Sequence, residues 1–171
     1  MKVERTPVED YADYAREVYN IGIPFSNNIE VVLEKMGGKL EILEPEGWCH
    51  SKLYFRTATW ESKFTIRVSP TLRKESRNYE IARQLGHLFL HTTYLNDEIA
   101  VLFIKDVSDP EYGMQANEFA NALIMPRKDF TEEVYKNIEN DRVKIRNVAE
   151  KFGVTYETAM VRAKELKLIQ C

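Results

Sequence analysis

Apolar positions near the start of the chain recur at helical spacing. Val8, Tyr11, Tyr14, Ala15 and Val18 share one face if residues 7–20 form a helix, and Pro7 stands where a first turn tolerates it. After "GIPFSNN", Asn28 is a candidate cap for a second helix. Its stripe is Ile29, Val32, Leu33 and Met36, and Gly37-Gly38 end it. The period then changes. "KLEILEP", "SKLYFRTATW" and "KFTIRVS" alternate apolar with polar residues and favour β-branched and aromatic types, which predicts three antiparallel strands closed by Ser69-Pro70.

The helical period returns in "SRNYEIARQLGHLFLHTTYL". Tyr79, Ala82, Leu85, Gly86, Leu88, Phe89 and Leu90 make this segment apolar nearly all round, so it is expected at the centre of the domain. Gly86 in its middle costs about 1 kcal/mol relative to alanine, which predicts that a neighbouring backbone comes close there. Residues 95–111 carry no clear period. "MQANEFANALIMP" then places Ala116, Phe119, Ala120, Leu123 and Ile124 on one face, with Gln115, Glu118 and Asn121 on the polar face and Pro126 at the end.

The last thirty residues read as two short helices joined at Gly153, with Val148, Ala149 and Phe152 facing Ala159, Ala163 and Leu166 and Thr155 capping the second. Length and turn fit a helix-turn-helix, but an αα-hairpin that closes the domain is the favoured reading. A DNA reader would place Arg, Lys, Asn or Gln early in the second helix; Tyr156, Glu157 and Thr158 stand there instead. The expected organisation is α+β, with one body over 1–130 and a helical subdomain over 131–171 packed on it.

Composition narrows this picture. A chain of 171 residues, 44% hydrophobic and 30% charged, holds one ordinary core. No run approaches the ~20 apolar residues of a membrane span, and the N-terminus is acidic and amphipathic where a secretory signal would be basic and then apolar. A cytoplasmic location is expected. Cys49 and Cys171 form no metal-type pair, which suits a reducing compartment, and Cys49 is expected half-buried in a strand. The net charge of −3 is uneven: residues from Asp141 onward carry +3 and the remainder −6. So small a basic excess argues poorly for direct nucleic-acid binding.

The stretch "EIARQLGHLFLH", residues 80–91, carries the candidate chemistry. A zinc peptidase of the H-E-x-x-H type needs two histidines four apart on one helical face, a glutamate beside the first to take a proton from metal-bound water, and a third ligand from elsewhere. The strings "ARQLGHLFLH" and "QANEFANALIMP" resemble the "AHELGHxLLH"-like and "EANxFAxxLLMP"-like helices of the ImmA/IrrE family of zinc metallopeptidases. The order of elements fits as well. The resemblance implies a zincin-like fold: N-terminal helices, a small antiparallel sheet, a buried active-site helix and a C-terminal helix-turn-helix-like pair.

Carried over position by position, the resemblance puts Arg83 at the first histidine ligand, Gln84 at the glutamate base, His87 at the second histidine and Gln115 at the third-ligand glutamate. Three of the four have lost their chemistry. Arginine keeps its proton at any usable pH and repels a cation, and a glutamine amide has no basic lone pair to activate water. The expectation is a zinc-free protein with no catalytic residue. Arg83 would pair with Glu118 or Glu111, and Gln84, Gln115 and His87 would complete a hydrogen-bonded network in place of the metal; alternatively Arg83 points into water. A relocated site at His87, His91 and Glu118 is the competing metal reading, and His50 is expected at the surface. By resemblance, the implied partner is a helix-turn-helix repressor or other regulator of a phage or mobile element, bound without being cut.

Overall fold

The computed structural model describes residues 5–45, 50–55, 63–91 and 110–169. Cys49, Cys171 and all but the last two residues of the segment 95–111 lie outside them. Helix α1 (Pro7–Tyr19) begins with Pro7 in its first turn, where the Thr6 hydroxyl accepts the Glu9 N–H, and ends on Asn20 in the left-handed region. Its inward face differs from the expected stripe. Ala12 and Ala15 are fully buried, whereas Tyr11, Tyr14 and Val18 are 55, 60 and 52% exposed. The reason is close packing. The helix lies against α4 (Pro110–Ile124), and small residues let the two approach.

Helix α2 (Ile29–Lys35) buries Ile29, Val32 and Leu33 as its period predicts, and Gly37 at φ 80° turns the chain into the sheet. Asn28 stands at the cap position but donates to the Asn20 carbonyl rather than capping. The sheet contains β1 (Gly38–Ile42), β2 (Ser51–Phe55) and β3 (Phe64–Val68) in the order β1-β3-β2. It is mixed, which corrects the antiparallel expectation: β2 pairs antiparallel with β3, but β1 pairs parallel with β3, Gly38 opposite Phe64 and Ile42 opposite Val68. β3 buries Phe64, Thr65, Ile66 and Val68, so its backbone is best paired on both edges, and the strands bearing Lys39, Glu41 and Lys52 take the edges. Two successive reversals then return β3 to the direction of β1.

Helix α3 (Lys74–His91) crosses the sheet on one side and packs along α4 on the other. Ile81, Ala82, Leu85 and Gly86 are buried, and a Cβ on Gly86 would stand 2.9 Å from the Ala116 carbonyl oxygen. The close approach predicted there is present. Along α4, Ala116, Phe119, Ala120, Leu123 and Ile124 are buried as expected; Asn121, placed by its type on the polar face, is only 3% exposed.

Pro126 ends that segment and starts α5 (Arg127–Lys136), whose Phe130 and Val134 are an apolar pair too short to show as a stripe. A two-stranded ribbon follows, β4 (Ile138–Glu139) with β5 (Arg142–Val143), turned by Asn140 and Asp141 at positive φ. The helical pair is α6 (Ile145–Phe152) and α7 (Tyr156–Glu165); Gly153 at φ 66° closes the first, and the Thr155 hydroxyl caps the second at Thr158 N–H. Phe130 meets Phe152 with ring centroids 5.4 Å apart, and one apolar core runs from α1 to α7. Buried charge ties the ends together. Glu9, 5% exposed, takes Arg127 on one carboxylate oxygen and Arg162, 2% exposed, on the other at 2.9 Å. Among the described residues, no helix is long and apolar enough to cross a membrane.

Candidate functional site at the crossing of α3 and α4

Positions 80, 84, 87 and 91 lie on one face of α3, because three- and four-residue steps return a helix to the same side. On α4, Glu111 and Gln115 stand one turn apart and face the end of α3. The Gln115 amide nitrogen donates to Glu111 Oε1 at 3.3 Å, and its Oε1 lies 3.0 Å from His91 Nε2. His91 Nδ1 lies 3.1 Å from His87 Nδ1.

Glu111 fixes the direction of this chain. Its carboxylate only accepts, so the amide offers its oxygen to His91, which must carry its proton on Nε2. Neutral His91 then accepts at Nδ1, His87 donates from Nδ1, and the His87 Nε2 lone pair is left over. Among the described residues that atom is buried without a hydrogen-bond partner, in a residue 2% exposed. Burial, the charge of Arg83 and then His91 push the His87 imidazole down to about 3. Burial lowers His91 too, against the pull of its bond to Gln115. Two neutral rings are what the chain of donors and acceptors requires.

Arg83 does not reach α4. Its Nη1 lies 3.8 Å from Glu80 Oε2, one turn back along α3, and 28% of its side chain is exposed. The expected partners are engaged elsewhere: Glu118 accepts the Thr6 hydroxyl beside α1, and Glu111 serves Gln115. A partner at i−3 lies within reach of a guanidinium without any crossing between helices, which is why the local pair forms. Gln84, 4% exposed, turns toward the sheet. Its Nε2 donates to Ser51 Oγ at 2.9 Å, and that hydroxyl donates to Glu80.

Zinc does not fit this donor set. Arg83 offers only N–H groups, the Gln84 amide is committed to β2, and Gln115 Oε1 already accepts from His91. Of the four positions, His87 holds a nitrogen lone pair that no described residue uses. Glu118, the carboxylate of the relocated reading, turns to Thr6, and among the described residues no three His, Cys, Asp or Glu side chains come together as a metal set. His50 is exposed at the start of β2.

Sequence reasoning missed two members of the site. Glu80 had a signal, since it sits one turn before Arg83 and Gln84 on the same helix face. Ser51 had none, because only the packing of α3 on β2 brings a residue 33 positions away to the amide.

Comparison with known proteins places this geometry. A family model described as the IrrE N-terminal-like domain matches residues 34–164. Among solved structures, a Mycobacterium tuberculosis transcriptional regulator matches with a TM-score of 0.58 and 22% identity, over 91% of this chain and 46% of that one. The likeness is one of fold, and this chain spans less than half of that protein's length. Comparison with curated proteins gave no significant match.

Proposed function

The chain belongs to the ImmA/IrrE family, and from that membership we propose that it is a pseudopeptidase, which holds a regulator of transcription without hydrolysing it. The bound regulator is a helix-turn-helix repressor of a phage or mobile element, the kind of protein that relatives of this fold inactivate by cleavage.

One observation carries the reading: α3 and α4 are joined by the chain His87–His91–Gln115–Glu111, which uses the amide at the third-ligand position as a structural bridge. A metal at that place would need Gln115 Oε1 to leave His91, and would face the guanidinium of Arg83. The water-activating carboxylate is an amide whose N–H groups serve β2. Substitution has therefore removed the acid-base chemistry and the cation together, while Gly86 keeps the two helices in contact. Retention of the frame without the reaction supports binding as the retained task. The likeness to a transcriptional regulator supports a regulatory setting. Direct DNA reading is disfavoured by the first turn of α7, where Tyr156 and Glu157 are exposed.

The test pairs the purified protein with helix-turn-helix repressors encoded beside it, with and without added zinc. The expected result is a complex containing intact repressor under both conditions. Zinc-dependent cleavage that a chelator stops would overturn the reading.

A further inference from the structure

The face that α1 turns away from the core is apolar. Pro7, Tyr11, Tyr14 and Val18 follow one another at steps of four, three and four residues, the spacing of a seam between helices, and the last three are each more than half exposed. Ala12 and Ala15 supply the packing against α4, so this second stripe is surplus to the fold. Single exposed apolar residues are ordinary; a row of them along about three turns marks a surface that meets something. Between Pro7, Asp10, Tyr11 and Tyr14 lies a recess of about 430 Å³, so the stripe offers a place for an inserted side chain.

Charge decides what can lie there. One long edge of the stripe carries Asp10 and Glu17, both exposed, with Asp13 further round the helix. Arg5 serves Asp10 and Asp13, Glu17 enters no salt bridge among the described residues, and Arg16 turns inward to the Leu123 carbonyl at 2.6 Å. Three carboxylates thus stand against one guanidinium. The opposite edge is neutral, formed by Val8 and Ala15. A second copy of this chain is a poor occupant: antiparallel pairing of two such stripes sets Asp10 and Glu17 against their own counterparts, and parallel pairing sets them against Val8 and Ala15. An anionic membrane surface is repelled by the same carboxylates. The complement is a helix with its own apolar stripe and Lys or Arg beside it, whose hydrocarbon stems can lie along the two tyrosine rings while their charged ends reach Asp10 and Glu17.

We propose that the outer face of α1 is a docking surface for a basic amphipathic helix of a partner protein, with the partner's apolar side chains on Tyr11, Tyr14 and Val18 and its cations along the edge formed by Asp10 and Glu17. The surface takes no part in the α3–α4 bridge, so it stands whether or not the bridge has replaced a metal.

The experiment is a titration of the ¹⁵N-labelled protein with a helical peptide of about four turns that carries leucine along one stripe and lysine beside it. Two control peptides replace lysine by glutamate or leucine by serine. The lysine-leucine peptide is expected to shift the amide signals of Tyr11, Tyr14 and Val18, and both controls to leave them in place. Tyr11→Ser combined with Tyr14→Ser keeps every charge and alters only exposed side chains; it is expected to weaken binding by about tenfold, as loss of aromatic anchors does. Glu17→Lys is expected to weaken the lysine-leucine peptide with the apolar stripe intact. Binding of either control as tight as that of the lysine-leucine peptide, undiminished binding by the tyrosine variant, or no binding of the lysine-leucine peptide would each overturn the proposal. So would self-association of the native protein, or its binding to phosphatidylcholine vesicles, if the tyrosine variant abolished it.

Discussion

A protonated His87 has nowhere to place its charge. Its Nδ1 faces another imidazole, its Nε2 has no partner among the described residues, and Arg83 adds a like charge nearby. Between the ordinary imidazole value of 6.5 and the folded value of about 3, the unfolded chain binds a proton that the folded one refuses. Stability is therefore complete above pH 6.5 and is lost as pH falls through that window, by ~1.4 kcal/mol per pH unit for one such proton. Thermal melts between pH 7 and 4 are expected to fall more steeply for the native protein than for His87→Gln; parallel slopes would contradict the assignment. Arg83 is a milder case. Partly exposed and 3.8 Å from its carboxylate, it is expected to contribute less than about 1 kcal/mol, so Arg83→Ala should melt almost normally while the His87 titration moves upward as a like charge disappears. At this scale the change of residue types was legible, because arginine and glutamine offer different donors and acceptors from histidine and glutamate. The partners were not. Whether Arg83 reaches α4 or stays on its own helix depends on side-chain paths that a motif does not contain.

Among the elements, the contact of α3 with α4 was the most legible. A glycine at mid-helix is costly unless something needs its space, and Ala116 is what needs it. Gly86→Ala should gain the ~1 kcal/mol of helix propensity and lose more, because its Cβ would meet backbone at 2.9 and 3.0 Å. A net loss of about 2 kcal/mol in denaturant unfolding is expected, and a stabilised variant would show that the helices separate easily. The face of α1 was misread for a related reason. Tyr11, Tyr14 and Val18 have the right spacing for a core stripe, yet Ala12 and Ala15 are the side chains small enough for the packing against α4. The parallel pairing of β1 was hidden too, since alternation marks a strand but not its neighbour. The ion pairs rank by burial. Glu9→Gln leaves two arginines competing for a neutral amide and should cost about 3 kcal/mol, whereas Glu41→Gln, opposite Arg67 at the sheet edge, should cost less than about 1 kcal/mol by the same measurement.

Across the whole molecule, the helices that hold a metal elsewhere in the family are held here by hydrogen bonds, a core that runs from Ala12 to Leu166, and the Glu9 junction that joins α1 to α5 and α7. On the proposed reading such a body has no structural need of a metal, and its His87 is bonded on one nitrogen and, among the described residues, has no partner on the other. Writing Arg83→His, Gln84→Glu and Gln115→Glu together restores the family's donor set on the same frame and supplies the positive control. The decisive measurement is zinc per chain by elemental analysis, taken after equilibration with micromolar zinc and gel filtration, for the native protein beside the triple variant. The expected result is a native protein with no stoichiometric zinc and a melting temperature that a chelator does not move, beside a triple variant that retains about one zinc per chain. Native protein that retains close to one zinc per chain and loses several degrees of melting temperature on chelation would contradict the account.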